Sequence, residues 1–188
     1  MKGFQQNFPN WLTYIRVAII PLVVVTFYFP GDFGKLLTSS LFLIASVTDW
    51  FDGYLARKWN VQSEIGRFLD PIADKLLVAT CLLLLVGKPT SNIIMIPAIA
   101  IICREILVSG LREFLAEIQV KVHVTTLAKY KTAIQMVAVY LLLLSTAGPT
   151  FLPVDLLGQV LLWASAALTI YTGYAYMKTG WEYMSCKK

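Results

Sequence analysis

Long apolar blocks separated by short polar breaks dominate the chain. A helix needs about 20 predominantly apolar residues to cross a bilayer. Six stretches approach that length: 11–29, 35–57, 66–86, 93–115, 126–146 and 156–177. The breaks carry helix stops and turn formers, Pro30-Gly31-Asp32 after the first stretch and Gly87-Lys88-Pro89 after the third. The pattern predicts an all-α integral membrane protein with six transmembrane helices. It forms a single domain over 1–188, with no linker, low-complexity tract or internal repeat. Phe4 and Phe8, four apart ahead of Trp11, predict a short N-terminal interfacial helix.

Composition agrees with this pattern. Hydrophobic residues make up 57% of the chain and charged residues 14%, against about 45–50% and about 25% in soluble domains. Mean hydropathy is +0.67. A net charge of +5 would suggest nucleic acid in a soluble protein. Here the basic residues gather at one set of span ends, among them Arg57, Lys58, Arg67, Arg112, Lys121, Lys129 and Lys131, while the opposite loops offer mainly Lys35 and Lys88. The positive-inside rule then puts both termini in the cytoplasm, in the cell membrane, with lipid headgroups rather than nucleic acid as partners. Trp11, Trp59 and Trp181 lie near the same ends, where amphipathic rings favour the interface. The N-terminus has no short apolar core followed by a small-residue cleavage site, so the first span is expected to be retained. Cys81, Cys103 and Cys186 are isolated and lack metal-ligand spacing.

The second and third stretches depart from uniform apolarity. One ends Thr48-Asp49-Trp50-Phe51-Asp52-Gly53-Tyr54-Leu55-Ala56-Arg57, and the other opens Gly66-Arg67-Phe68-Leu69-Asp70-Pro71-Ile72-Ala73-Asp74-Lys75. Asp49 and Asp52 are spaced i, i+3, and Asp70 and Asp74 i, i+4, so each pair shares a helical face. An antiparallel hairpin of the two helices would bring Asp49 level with Asp74 and Asp52 with Asp70. Ionisable residues within a span cost about 2.5–3.5 kcal/mol each, so four cost roughly 10 kcal/mol before their mutual repulsion. Such a cluster needs compensating cations, and hard oxygen ligands favour Mg²⁺, Mn²⁺ or Ca²⁺ over zinc. The competing account pairs the acids with Arg57, Arg67 and Lys75. Metals there suit a phosphoryl or diphosphate substrate. Gly53 and Gly66 leave backbone uncovered for close approach, or equally serve helix packing.

These residues follow D-x-x-D-G-x-x-A-R, eight residues, then G-x-x-x-D-x-x-x-D: Asp49, Asp52, Gly53, Ala56 and Arg57, then Gly66, Asp70 and Asp74. The chain thereby resembles the CDP-alcohol phosphotransferase family along its whole length. The resemblance implies six spans with both ends inside, a homodimer, and two divalent cations, Mg²⁺ or Mn²⁺, on Asp49, Asp52, Asp70 and Asp74. It makes Asp74 the general base toward the acceptor hydroxyl. It puts Asp52, Gly53, Ala56, Arg57, Ser63 and Gly66 around the CDP moiety, with Asn10 and Thr13 of Pro9-Asn10-Trp11-Leu12-Thr13 reaching the nucleotide from the first span. The implied reaction is attack by an alcohol on the lipid-bearing phosphorus of CDP-diacylglycerol, with departure of CMP.

Downstream the chain reads Arg104-Glu105-Ile106-Leu107-Val108-Ser109-Gly110-Leu111-Arg112-Glu113, then Lys129-Tyr130-Lys131-Thr132. This is similar to the branch of the family whose acceptor is sn-glycerol 3-phosphate. Arg104, Arg112, Lys129 and Lys131 are accordingly the candidate ligands of the acceptor phosphate. Ala128 stands where the family has Gly. For Arg112, Lys129 and Lys131 the alternative is ordinary cytoplasmic loop charge. For Arg104 it is a pair with a buried acid, Glu105 of a neighbouring subunit or Asp70. Other acceptors (inositol phosphate, serine, phosphatidylglycerol) fit the same chemistry. A membrane prenyltransferase and a cation transporter are the competing classes. His123 lacks partners for metal or triad chemistry, and the Met and aromatic residues of the sixth span read as packing and lipid contact.

Overall fold

The computed structural model describes the backbone of residues 2–59, 64–88, 92–117, 126–145 and 153–185, and the side chains within 14–48, 72–88, 92–116, 127, 130–145, 153–178, 180 and 181. The described residues form six helices and no strand: α1 (Lys2–Phe27), α2 (Gly31–Trp59), α3 (Glu64–Val86), α4 (Asn92–Glu117), α5 (Thr126–Ser145) and α6 (Val154–Ser185). Each expected stretch is a helix, and α6 runs eight residues past the expected end. At the N-terminus no separate surface helix forms. Helix α1 runs unbroken from Lys2 to Phe27, through Gly3 and Pro9.

Two helical stretches are long and apolar enough to cross a membrane among the described residues, Asn92–Ala116 and Val154–Lys178, with shorter apolar helices at Tyr14–Phe27 and Tyr130–Ser145. Their outward faces carry Ile93, Ile96, Ile99 and Ile106 on α4, and Leu156, Val160, Ile170 and Tyr171 on α6, all exposed. Contiguous apolar surface of this kind is rare on a soluble monomer. Pro97 lies inside α4, a placement that membrane helices tolerate.

All six helices contribute to one core, including Val23, Phe42, Leu82, Ile101, Leu142 and Leu162. The α1–α2 corner is closed by Gly31 with φ of 85°, a left-handed conformation that glycine adopts without a Cβ penalty. Gly34 follows where a Cβ would come 2.6 Å from Phe29 Cβ. Above the corner Thr38 Oγ1 donates to Thr26 Oγ1 at 2.9 Å, a buried tie between α1 and α2. At the same end Lys88 lies over the Phe27 ring, 5.1 Å from its centroid. Burial and the neighbouring Lys35 pull its ammonium below the ordinary lysine range, while Asp155 pulls it back.

Among the described residues α6 packs most closely on α5 and α4, and α1 packs on both α2 and α3. Glycines on α6 set these approaches. Cβ atoms at Gly158, Gly173 and Gly180 would lie 2.9 Å from Leu142 Cγ, 2.9 Å from Arg104 Cγ and 2.8 Å from Leu111 Cδ1. Small residues let helix backbones come together in this way. Among the described residues α1 packs on both α2 and α3, while the facing ends of α2 and α3, where the acidic hairpin was expected, have their side chains outside the described residues.

Candidate active site

Helix α3 changes character at Asp74, charged before it and Leu-rich after it. Facing it from α1 is Arg16, set in the apolar run Tyr14-Ile15-Arg16-Val17-Ala18-Ile19. A guanidinium cannot be neutralised by proton loss, so burial obliges it to find acceptors. Arg16 is 1% exposed, and its Nη1 donates to Asp74 Oδ1 at 2.9 Å. The carboxylate is 36% exposed, so it reaches both the protein interior and the open side of the bundle. Among the described side chains Arg16 is a cation paired with Asp74, while those of Arg57 and Arg67 lie outside the described residues. Arg16 was overlooked in the sequence because it counts as one more basic residue near the inner ends, although a lone Arg inside an apolar run is itself a signal.

Asp49 and Asp52 fall on α2, and Asp70 falls on α3 one turn before Asp74. Their side chains lie outside the described residues, as do those of Asn10, Thr13, Gly53, Ala56, Arg57, Gly66 and Lys129, while Ser63 lies outside entirely. Among the described residues no three acids, histidines or cysteines come together as a metal site. Asp74, the described member of the expected set, is a hard carboxylate donor of the kind Mg²⁺ and Mn²⁺ take.

A second polar cluster fills the junction of α4, α5 and α6. Glu105 Oε1 accepts from Arg104 Nη1 at 3.1 Å and also from Lys131 Nζ. The other Arg104 donors go to α6, Nε to the Thr169 carbonyl at 3.1 Å and Nη2 to Thr172 Oγ1 at 2.9 Å. Among the described residues the acid that pairs with Arg104 is Glu105 of the same chain. Lys131 is 3% exposed, far more buried than ordinary loop charge. Arg112 is exposed, with its guanidinium carbon 5.9 Å from the Tyr176 ring centroid. Lys75 lies within electrostatic reach of Asp74, Glu105, Arg112 and Glu113. The α6 partners Thr169, Thr172 and Gly173 give little sign in sequence, where they read as span packing.

The apolar helices are those of a membrane protein, and α2 and α3 carry the acidic signature. The chain belongs to the CDP-alcohol phosphatidyltransferase family, whose pattern matches residues 6–171, and it is a transferase. It is 48% identical over 183 residues to the CDP-diacylglycerol–glycerol-3-phosphate 3-phosphatidyltransferase of Rickettsia bellii, covering 97% of both chains. The proteins of the same name from Rickettsia typhi and Yersinia pestis are 46% and 40% identical, the matches covering 92% and 95% of this chain and 96% and 97% of theirs.

Proposed function

We propose that the chain transfers the phosphatidyl group of CDP-diacylglycerol to sn-glycerol 3-phosphate, giving phosphatidylglycerol phosphate and CMP. It does so as a six-span homodimer in the cytoplasmic membrane, with both termini and the site on the cytoplasmic side. The observation that carries the reading is the adjacency of two charge systems. Asp74, paired with Arg16, and Glu105, paired with Lys131 and Arg104, both lie within electrostatic reach of Lys75. The first suits the reacting hydroxyl and the second the acceptor's phosphate.

In this reading Asp74 takes the proton of the acceptor hydroxyl as its oxygen forms a bond to the lipid-bearing phosphorus. The bond from that phosphorus to the CMP oxygen breaks in line, and the electron pair leaves with CMP. Arg16 fixes the orientation of Asp74 from α1, and a held carboxylate is a better base than a rotating one. Arg104, Arg112, Lys129 and Lys131 hold the acceptor phosphate. Asn10, Thr13, Gly53, Ala56, Arg57, Ser63 and Gly66 hold the cytidine nucleotide. Asp49, Asp52, Asp70 and Asp74 would hold two divalent cations, Mg²⁺ or Mn²⁺. When bound, these neutralise phosphate oxygens and charge on the leaving group.

The test is CMP release by the purified protein in detergent with CDP-diacylglycerol and Mg²⁺. Release that depends on sn-glycerol 3-phosphate supports the reading. Equal release with serine or inositol phosphate would reassign the acceptor, and no release with any alcohol would reject the chemistry.

A further inference from the structure

The cluster on α4, α5 and α6 is unevenly satisfied. Arg104 is anchored on both sides, since Nε and Nη2 bind α6, Nη1 binds Glu105, and its stem lies where Gly173 has no side chain, while the second N–H of each Nη stays available to a phosphate. Lys131 differs. Among the described residues its three ammonium protons meet one acceptor, Glu105. One helical turn further along α5, the buried Gln135 Oε1 has no described partner, and neither has the buried Thr169 Oγ1. A buried polar group without a partner is costly, so unspent capacity beside a buried cation points to a polar ligand. Lys75 and Arg112 add positive charge within electrostatic range of the same place. Glu105 is the acid both buried cations share, and it is 24% exposed, more open than either.

We propose that Glu105 is a built-in stand-in for the acceptor's phosphate, a reading that rests on the acceptor assigned above. In the acceptor-free enzyme its carboxylate keeps the two buried cations compensated, since an uncompensated buried charge is strongly unfavourable. An incoming phosphate takes over Lys131, whose flexible stem allows the exchange. Glu105 stays on Arg104, which α6 holds in place. Binding is thus the exchange of one oxyanion for another. The device also selects. A phosphate monoester carries about −1.5 to −2 charge at pH 7 and outcompetes a carboxylate for Lys131, whereas a neutral alcohol does not. Glu105 therefore sets the preference for phosphorylated alcohols by competing with them.

The experiment compares the full-length wild type with Glu105→Gln in detergent. It reads inorganic phosphate binding by calorimetry, the KM for sn-glycerol 3-phosphate, and kcat. Removing the competing charge is expected to tighten phosphate and lower KM by about three- to tenfold. At the same time kcat falls, because product leaves more slowly. Weaker phosphate binding with a raised KM would make Glu105 a plain structural clamp and overturn the proposal. Glu105→Asp draws the carboxylate back while keeping its charge. It is expected to tighten phosphate in the same direction by a smaller factor, and it decides the matter if Glu105→Gln does not fold. Unchanged or weaker phosphate binding in Glu105→Asp then rejects the stand-in. A wild type that releases no CMP with sn-glycerol 3-phosphate defeats the functional reading, while the phosphate titration still judges Glu105.

Discussion

Arg16 on α1 donates to Asp74 on α3 at 2.9 Å, a contact between residues 58 positions apart that joins a fully buried cation to a partly open acid. The pair is asymmetric. Arg16 has no route to solvent, whereas Asp74 faces the side where substrate would arrive, so the contact fixes the acid more than it screens it. Outer partners that orient a functional carboxylate are worth about 10–100-fold in activity. Arg16→Gln is expected to lower kcat for CMP release by about that factor, with little change in the KM for sn-glycerol 3-phosphate. Arg16→Lys should recover part of the loss. Because Asp74 is about a third exposed, the stability cost stays below the roughly 3–5 kcal/mol of a fully buried broken pair. A KM effect equal to the kcat effect would mean that Arg16 binds acceptor instead of orienting Asp74.

Two glycines on α6 separate packing from acceptor binding. A Cβ at Gly158 meets Leu142 Cγ at 2.9 Å, and a Cβ at Gly173 meets Arg104 Cγ at the same distance. Overpacking of this kind costs about 1–3 kcal/mol. Gly158→Ala is expected to lower the thermal midpoint alone. Gly173→Ala should lower it similarly and also raise the KM for sn-glycerol 3-phosphate, because Arg104 must leave its place against Thr169 and Thr172.

The six helices and the acidic signature were legible in the chain because both depend on local regularities, namely apolar length and carboxylate spacing. Asp74 belongs to that spacing, and the structure brings it to Arg16. The Arg16 partner of Asp74 was not legible, because it comes from α1 and depends on which helix packs beside α3, whereas the expectation looked to Arg57, Arg67 and Lys75. The same limit applies to Arg104. Its depth between Ile102 and Ile106 marked it as more than loop charge, but periodicity could not choose between Glu105 and Asp70. Thr172 and Gly173 were hidden for a related reason: in a span rich in Ala, Thr and Tyr, a hydroxyl and a missing side chain gain meaning only when α4 lies against them.

The Thr26–Thr38 hydrogen bond is buried at the end of the bundle away from Asp74. Thr38 also donates to the Gly34 carbonyl at 2.8 Å, so its hydroxyl is shared between two acceptors. Thr38→Val removes the shared donor and keeps the shape. The expected cost is about 1 kcal/mol, from losing a buried hydrogen bond and leaving the Gly34 carbonyl underserved. A lower thermal midpoint with kcat and KM unchanged would confirm that this end is scaffold. A change in KM would place it in contact with the site.

Asp74 offers the sharpest separation between base and brace. Asp74→Asn keeps an oxygen for Arg16 but loses the negative charge and the ability to accept a proton. General-base contributions are about 10²–10⁴-fold, so CMP release should fall at least that far, and the thermal midpoint should fall too, because buried Arg16 keeps an acceptor but loses its counter-charge. Chelation by EDTA should also abolish release by the wild type, with Mg²⁺ or Mn²⁺ restoring it, because a carboxylate donor set prefers hard cations. The two losses are distinguishable by binding. CMP affinity in the presence of Mn²⁺ should persist in Asp74→Asn if the remaining acids still hold metal, and should vanish in EDTA. Loss of CMP binding in Asp74→Asn as well would make metal retention the dominant role of Asp74, with proton transfer assigned elsewhere.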